Sequence, residues 1–249
     1  MSNFDASLPL PAIHWLGNSN IARVQSFFAG PNQLASFCLI VLFLALGGGT
    51  RSKYLNWLAA SLSLLVLVLT FSRSAWLGGI IGLSLFIFLI ARTNIKLKAG
   101  ILGFGIGVLA VLAYVLKARF YEIFIRPSSS AWHWVSLRDA WHSFLSTPWG
   151  IGLGKVGPAS QWLKNAFISE NYYLQIGLET GWLGLVFFLL PILVLLWEFW
   201  QKQNLKTKAV FCLFLSLLVS SFFLHTLADG VLAIYLGLSL AWAQTNIEQ

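Results

Sequence analysis

Seven long stretches of this chain contain no charged residue, and this pattern constrains the fold more than any other feature. Each has 18 or more residues, and together they cover residues 24–50, 54–72, 74–91, 99–116, 180–197, 209–228 and 230–247. About 20 residues of α-helix cross the ~30 Å hydrocarbon core of a bilayer. Charged residues make up only 10% of the chain, whereas soluble domains have roughly 25%. The sequence therefore predicts an all-α polytopic membrane protein with about seven transmembrane helices in one membrane domain, residues 1–249.

The positions of the basic residues predict which connections face the cytoplasm. Three short connections, after the first, third and fifth stretches, carry Arg51, Lys53, Arg92, Lys96, Lys98, Lys202, Lys206 and Lys208. Short connections rich in lysine and arginine remain on the cytoplasmic side. We therefore expect an extracytoplasmic lead-in over residues 1–32, one large extracytoplasmic loop over 117–179 and a cytoplasmic C-terminus.

The other eight basic residues fall on the predicted outer side, and five of them are arginines. Arginine is suited to bidentate contacts with phosphate and carboxylate groups. Contact with lipid headgroups is the alternative interpretation of these arginines.

The predicted loop is rich in tryptophan, including Trp134, Trp141 and Trp149. Tryptophan favours the membrane interface, and its ring can also stack on the face of a sugar. Residues 135–144 have helical spacing, and glycines at alternate positions over 150–154 indicate turns.

The composition also excludes several kinds of site. We expect no metal and no cofactor, because histidine and cysteine form no cluster with metal-ligand spacing. We expect no nucleic-acid partner, because the basic residues are split between two membrane faces.

Glu170 stands out among the acidic residues, because it directly precedes a helix that is predicted to enter the membrane. Partial desolvation raises the pKa of a carboxylate and makes it a usable base. The alternative is an acidic residue that only stabilises the helix N-terminus.

Four segments, in this order, resemble the shared domain of O-antigen ligases and O-antigen or capsule polymerases. They are the segments Arg23-Val-Gln-Ser-Phe-Phe-Ala-Gly-Pro-Asn32, Leu69-Thr-Phe-Ser-Arg73-Ser-Ala75, Arg138-Asp-Ala-Trp141 with Pro148-Trp-Gly-Ile-Gly-Leu-Gly154, and Glu170-Asn-Tyr-Tyr-Leu-Gln175 with Gly181-Trp-Leu-Gly184. Together they span residues 23–184, about two-thirds of the chain.

This resemblance implies a membrane-embedded glycosyltransferase with a C-type fold. It would move a glycan from a polyprenyl diphosphate carrier to an acceptor sugar or lipid on the outer face of the bacterial inner membrane, without a metal. The resemblance makes Glu170 and Arg73 the catalytic candidates and assigns substrate binding to Arg23, Arg126, Arg138 and Asn171.

The ligases have a histidine before the asparagine, at the position that Glu170 occupies here. This difference favours a surface polysaccharide polymerase, with ligase activity and transfer onto protein as alternatives. Family members also carry further helices before the Arg23 segment, so this chain is either a truncated or a divergent form. A glycolipid transporter or flippase and a non-catalytic assembly protein are the alternatives from other classes. The uncharged stretches argue against transport, because they lack ionisable residues at mid-depth.

Overall fold

The computed structural model describes residues 14, 22–90, 99, 103, 127–158, 160, 167–202 and 204–245. These residues form α-helices, one short 3-10 helix and an isolated β-bridge between Val156 and Phe167. The helices are α1 Pro31–Leu46, α2 Lys53–Leu69, α3 Arg73–Ile90, α4 Pro127–Ser146, α5 Tyr172–Gln201, α6 Leu205–Ser220, the 3-10 helix Thr226–Ala228 and α7 Gly230–Gln244. The prediction of an all-helical chain is thus confirmed for the described residues. Most of the predicted fourth helix, residues 98–116, lies outside them.

Within the first three uncharged stretches, the sequence predicts helices over about residues 33–48, 54–71 and 75–91, and the ends of α1, α2 and α3 differ from these positions by at most two residues. The stretch 209–228, by contrast, is not a single helix. α6 ends at Ser220, and a turn and the 3-10 helix follow before α7 begins. A capping side chain accepts a hydrogen bond from a free backbone N–H at the start of α2, α5, α6 and α7; the caps are Ser52, Asn171, Asn204 and Asp229.

Two of the described helices, α3 and α5, are long and apolar enough to cross a bilayer. α1, α2 and α7 are apolar but shorter, with 16, 17 and 15 residues. The most apolar 18-residue window of α5 is only 6% buried, so this helix presents its apolar side chains to its surroundings. The two long helices agree with a membrane protein, whereas the predicted count of seven spans is not established.

α3 packs most closely on α6 because small residues line their contact. A Cβ atom at Gly78 would lie 2.3 Å from the carbonyl oxygen of Ser216, and one at Gly82 would lie 1.9 Å from its Oγ. Ser220 also donates a hydrogen bond to the carbonyl of Ser74 at 3.2 Å. Small residues allow helix backbones to approach closely in lipid. The sequence also predicts close packing through the glycines of the fourth helix, most of which lies outside the described residues.

Contacts between separate helices bring several of their connections together at each of two ends. At one end, the Lys208 ammonium donates to the carbonyl of Leu89 at 3.2 Å, and Lys206 lies 5.4 Å from the ring centre of Trp242. The turn before α3, the loop around α4 and the turn after α6 meet at the opposite end, where they line a cavity.

Candidate functional site

The cavity at this end has a volume of about 600 Å³. Segments that are far apart in the sequence line this cavity. They are the lead-in and the start of α1, the turn before α3 and the first residues of α3, α4, Glu170 ahead of α5, and the turn after α6. Its polar lining comes from Arg23, Asn32, Ser72, Arg73, Ser74, His133 and Glu170. Three of the residues predicted from the sequence, Arg23, Arg73 and Glu170, are thereby brought together.

Arg23 joins the lead-in to the C-terminal end of α2. Its Nε donates to the carbonyl of Thr70 at 2.7 Å, and its Nη2 donates to Oδ1 of Asn32 at 3.0 Å. A guanidinium is stabilised at a helix C-terminus, where carbonyl groups carry partial negative charge. These two bonds hold the Arg23 guanidinium at the wall of the cavity.

Arg73 is the first residue of α3, and a tight turn fixes its position. Phe71 has the left-handed φ of 50°, and the indole Nε1 of Trp76 donates to the carbonyl of Leu67 at 2.9 Å across the turn. A cation is unfavourable at a helix N-terminus, which carries partial positive charge. An anion in the cavity would therefore be attracted both by the Arg73 guanidinium and by the N-terminus of α3.

Glu170 lies just ahead of α5 and has a constrained backbone conformation. Its φ is 54°, a left-handed value that is uncommon for residues other than glycine. The bonds on either side hold it there: Ser169 Oγ donates to the Asn171 carbonyl at 2.9 Å, and the Tyr172 amide donates to the Ser221 carbonyl at 3.0 Å. Its Oε2 lies 3.1 Å from Nδ1 of His133, and 26% of the Glu170 side chain is exposed. A carboxylate that is this accessible can reach a substrate in the cavity.

Asn171 lies beside the cavity, but its side chain is engaged within the protein. Oδ1 accepts from the Leu174 amide at 2.9 Å, and Nδ2 donates to the Phe222 carbonyl at 3.1 Å. Asn171 therefore caps α5 and joins it to the turn after α6. Its role in substrate binding remains a prediction.

Arg138 lies on a second cavity of about 530 Å³, next to the first. The second cavity shares Trp134, Leu137 and Phe222 with the first, and its other lining is mainly apolar. Arg138 is exposed on α4 and is not among the residues that line the first cavity. Arg126, the remaining predicted arginine, lies outside the described residues.

The loop is held against α5 at a break in that helix. Gly181 has φ 76° and ψ −175°, which interrupts the helical path. The amides of Ile151 and Gly152 donate to the carbonyls of Leu178 and Glu179 at 2.7 and 3.1 Å, and the Trp182 amide donates to the Pro148 carbonyl at 3.0 Å. The break thus exposes backbone groups that the glycine-rich turn satisfies.

Two histidines at this site were not among the sequence-derived candidates. His133 lines the cavity, and the Nε2 of His225 is buried without a hydrogen-bond partner among the described residues. Burial lowers the pKa of His225, and the negative charge of Glu170 partly opposes this effect. Spacing could not reveal either residue, because their nearness to Glu170 arises from the fold.

The arrangement is suited to holding an anion and moving a proton. Two guanidinium groups can stabilise phosphate charge, and Glu170 and His133 can accept or orient a proton. Among the described residues, no three histidine, cysteine, aspartate or glutamate side chains are grouped as a metal site requires.

Comparisons with known proteins identify the family. The O-antigen ligase family profile matches residues 58–189, slightly more than half of the chain, and this range includes Arg73, Arg138 and Glu170. The teichuronic acid biosynthesis protein TuaE of Bacillus subtilis is 26% identical over 229 residues, which are 79% of this chain and 46% of that protein. A general O-oligosaccharyltransferase of Acinetobacter baylyi is 26% identical over 236 residues, which are 83% of this chain and 40% of that protein.

This chain spans less than half the length of both relatives. No solved structure matches it. The family profile, which matches more than half of the chain, shows that the chain belongs to the O-antigen ligase family.

Proposed function

We propose that this protein transfers a glycan from a polyprenyl diphosphate carrier to an acceptor sugar during assembly of a surface polysaccharide. The observation that carries the proposal is the cavity in which Arg23, Arg73 and Glu170 meet. The family match and the two relatives, whose names refer to teichuronic acid biosynthesis and oligosaccharide transfer, support glycan transfer as the reaction class.

In the proposed reaction, the acceptor hydroxyl oxygen bonds to the anomeric carbon of the donor glycan. The bond from that carbon to the diphosphate oxygen breaks, and its electron pair leaves with the diphosphate. Arg23 and Arg73 stabilise the charge that develops on this leaving group, a role for which donors fixed in advance are well suited. The pair formed by Glu170 and His133 removes the proton of the acceptor hydroxyl. No step requires a metal.

The proposed location is the bacterial inner membrane, with the cavity on the extracytoplasmic side. One observation supports this orientation. Lys206 and Lys208 lie at the end opposite to the cavity, and short connections rich in lysine and arginine remain in the cytoplasm. The exposed apolar face of α5 would then contact lipid. This face includes Leu183, Val186, Phe187, Leu190, Leu193 and Val194.

We favour a polymerase over a ligase or a protein-directed transferase, because Glu170 replaces the histidine of the ligases. A carboxylate still accepts a proton from a sugar hydroxyl.

Donor binding tests the site directly. The purified chain in lipid nanodiscs would be titrated with a polyprenyl diphosphate oligosaccharide, and Arg73→Ala would be compared with Arg51→Ala, which removes a basic residue from the opposite end. Hydrogen bonds to charged groups contribute about 1.5–3 kcal/mol, so Arg73→Ala should weaken binding by roughly 10- to 150-fold. Arg51→Ala should bind as the wild type does. Equal affinities in all three proteins would exclude Arg73 from the donor site.

A further inference from the structure

Glu170 and His133 form a pair at the cavity although they are far apart in the sequence. Glu170 Oε2 lies 3.1 Å from His133 Nδ1, and both side chains line the cavity. A carboxylate that accepts a hydrogen bond from one ring nitrogen fixes the tautomer and the orientation of the imidazole. The other ring nitrogen is then left as the basic atom.

Contacts between the two segments hold this pair in place. Ser136, three residues after His133 on α4, donates its Oγ to the carbonyl of Ile168. Glu170 follows two residues later in its left-handed conformation. The helix that carries His133 is thus bonded to the segment that carries Glu170, so the pairing does not depend on the two side chains alone.

The charges around His133 explain why a carboxylate is needed there. Arg23 and Arg73 line the same cavity and bring two positive charges to it. His225 adds no positive charge while it is neutral, since burial lowers its pKa. Glu170 is therefore the group among these that would stabilise an imidazolium at His133.

We propose that His133 is the proton acceptor of the transfer reaction and that Glu170 is the residue that orients it. This inference rests on the proposed function. The acceptor O–H bond breaks and its proton moves to Nε2 of His133, which has no hydrogen bond to the described part of the chain. The acceptor oxygen forms the new bond to the anomeric carbon, and the diphosphate leaves with the electron pair of the broken bond. Glu170 remains ionised and stabilises the imidazolium.

The test compares transfer rates of the full chain in lipid with a polyprenyl diphosphate oligosaccharide and a free glycan acceptor. The variants are His133→Gln, Glu170→Gln, the double variant, and His133→Ala with and without added imidazole. His142→Gln is the matched control, because His142 is an exposed histidine on the same helix. Donor binding is measured for every variant to separate chemistry from folding.

We expect His133→Gln to lower kcat by about 100-fold or more with donor affinity unchanged, and His142→Gln to retain the wild-type rate. The double variant should be no slower than the slower single variant, because two groups that act as a unit do not contribute additively. Imidazole should restore part of the rate of His133→Ala.

Three results would overturn the assignment. They are a His133→Gln rate equal to that of His142→Gln, losses that multiply in the double variant, and loss in His133→Ala without rescue by imidazole. A wild-type chain that binds the donor and transfers nothing to any glycan acceptor would instead overturn the proposed function, and this inference with it.

Discussion

Replacing Gly181 by alanine tests how the loop is held against α5. Gly181 has φ 76° and ψ −175°, a region that only glycine occupies readily. A Cβ atom there would lie 2.6 Å from the carbonyl oxygen of Pro148 and 2.7 Å from the carbonyl carbon of Trp149. Both close contacts are with backbone atoms, so no side-chain rotation relieves them.

The expected effect follows from the backbone strain. A residue other than glycine in this conformation costs about 1–3 kcal/mol. Separation of the loop also breaks the bond from the Trp182 amide to the Pro148 carbonyl, but this cost is the same in the wild type and in the variant. The strain therefore favours detachment of the glycine-rich turn in the variant by about 1–3 kcal/mol, which corresponds to a roughly 5- to 150-fold larger open population.

Trypsin cleavage after Lys155 measures this population. Lys155 is exposed, but cleavage requires the surrounding turn to leave α5, and the rate follows the open population when closing is fast. The matched control is Gly237→Ala on α7, where an added Cβ meets no atom within 4 Å. Gly181→Ala should be cleaved roughly 5- to 150-fold faster than the wild type, and Gly237→Ala should be cleaved at the wild-type rate. Equal cleavage of both variants would refute the reasoning.

Three further predictions concern helix packing, pH and topology. Gly82→Ala should lower the free energy of unfolding in detergent by about 1–3 kcal/mol, because the added Cβ would lie 1.9 Å from Ser216 Oγ. Ser216→Gly in the same chain should restore part of this stability, and absence of any restoration would count against this contact. Burial lowers the pKa of His225 from its usual 6.5. The unfolded chain therefore binds more protons than the folded chain below that pH, and stability should fall as the pH drops below 6.5. His225→Gln should lessen this fall, and an unchanged pH profile of melting temperatures in that variant would contradict the prediction. In intact cells, a membrane-impermeant maleimide should label Ser146→Cys in the predicted outer loop and not Thr50→Cys between α1 and α2, both of which are exposed positions; the reverse pattern would invert the proposed orientation.

The sequence predicted the helical fold well because charges mark the ends of apolar stretches. Arg51, Lys53 and Arg73 lie at or beside the ends of the first three helices, whose bounds were predicted to within two residues. The prediction that a helix directly follows Glu170 is confirmed, because α5 begins at Tyr172. The uncharged stretch begins only at residue 180, because α5 also contains Glu179. The Glu179 carboxylate accepts a hydrogen bond from the Val156 amide at 3.2 Å. This contact with the loop satisfies the charge within α5, whereas the spacing of charges along the sequence had placed Glu179 in the loop itself.

The site could be predicted only in part. The resemblance to the family singled out Arg23, Arg73 and Glu170, which share the cavity. It did not reveal His133, because the pairing of that residue with Glu170 depends on how α4 lies beside the segment before α5. Nor did it show that both polar atoms of Asn171 are used in hydrogen bonds within the protein. Residue spacing reports neighbours along one helix, whereas these contacts join separate elements.

The most direct test of the account is glycan transfer by the purified wild-type chain and by Glu170→Gln in lipid vesicles. The donor would be a polyprenyl diphosphate oligosaccharide, and the products would be separated by size. We expect the wild type to produce longer glycans and Glu170→Gln to produce none while it still binds the donor. Transfer by Glu170→Gln at the wild-type rate, or donor binding by the wild type without transfer to any glycan acceptor, would contradict the central claim.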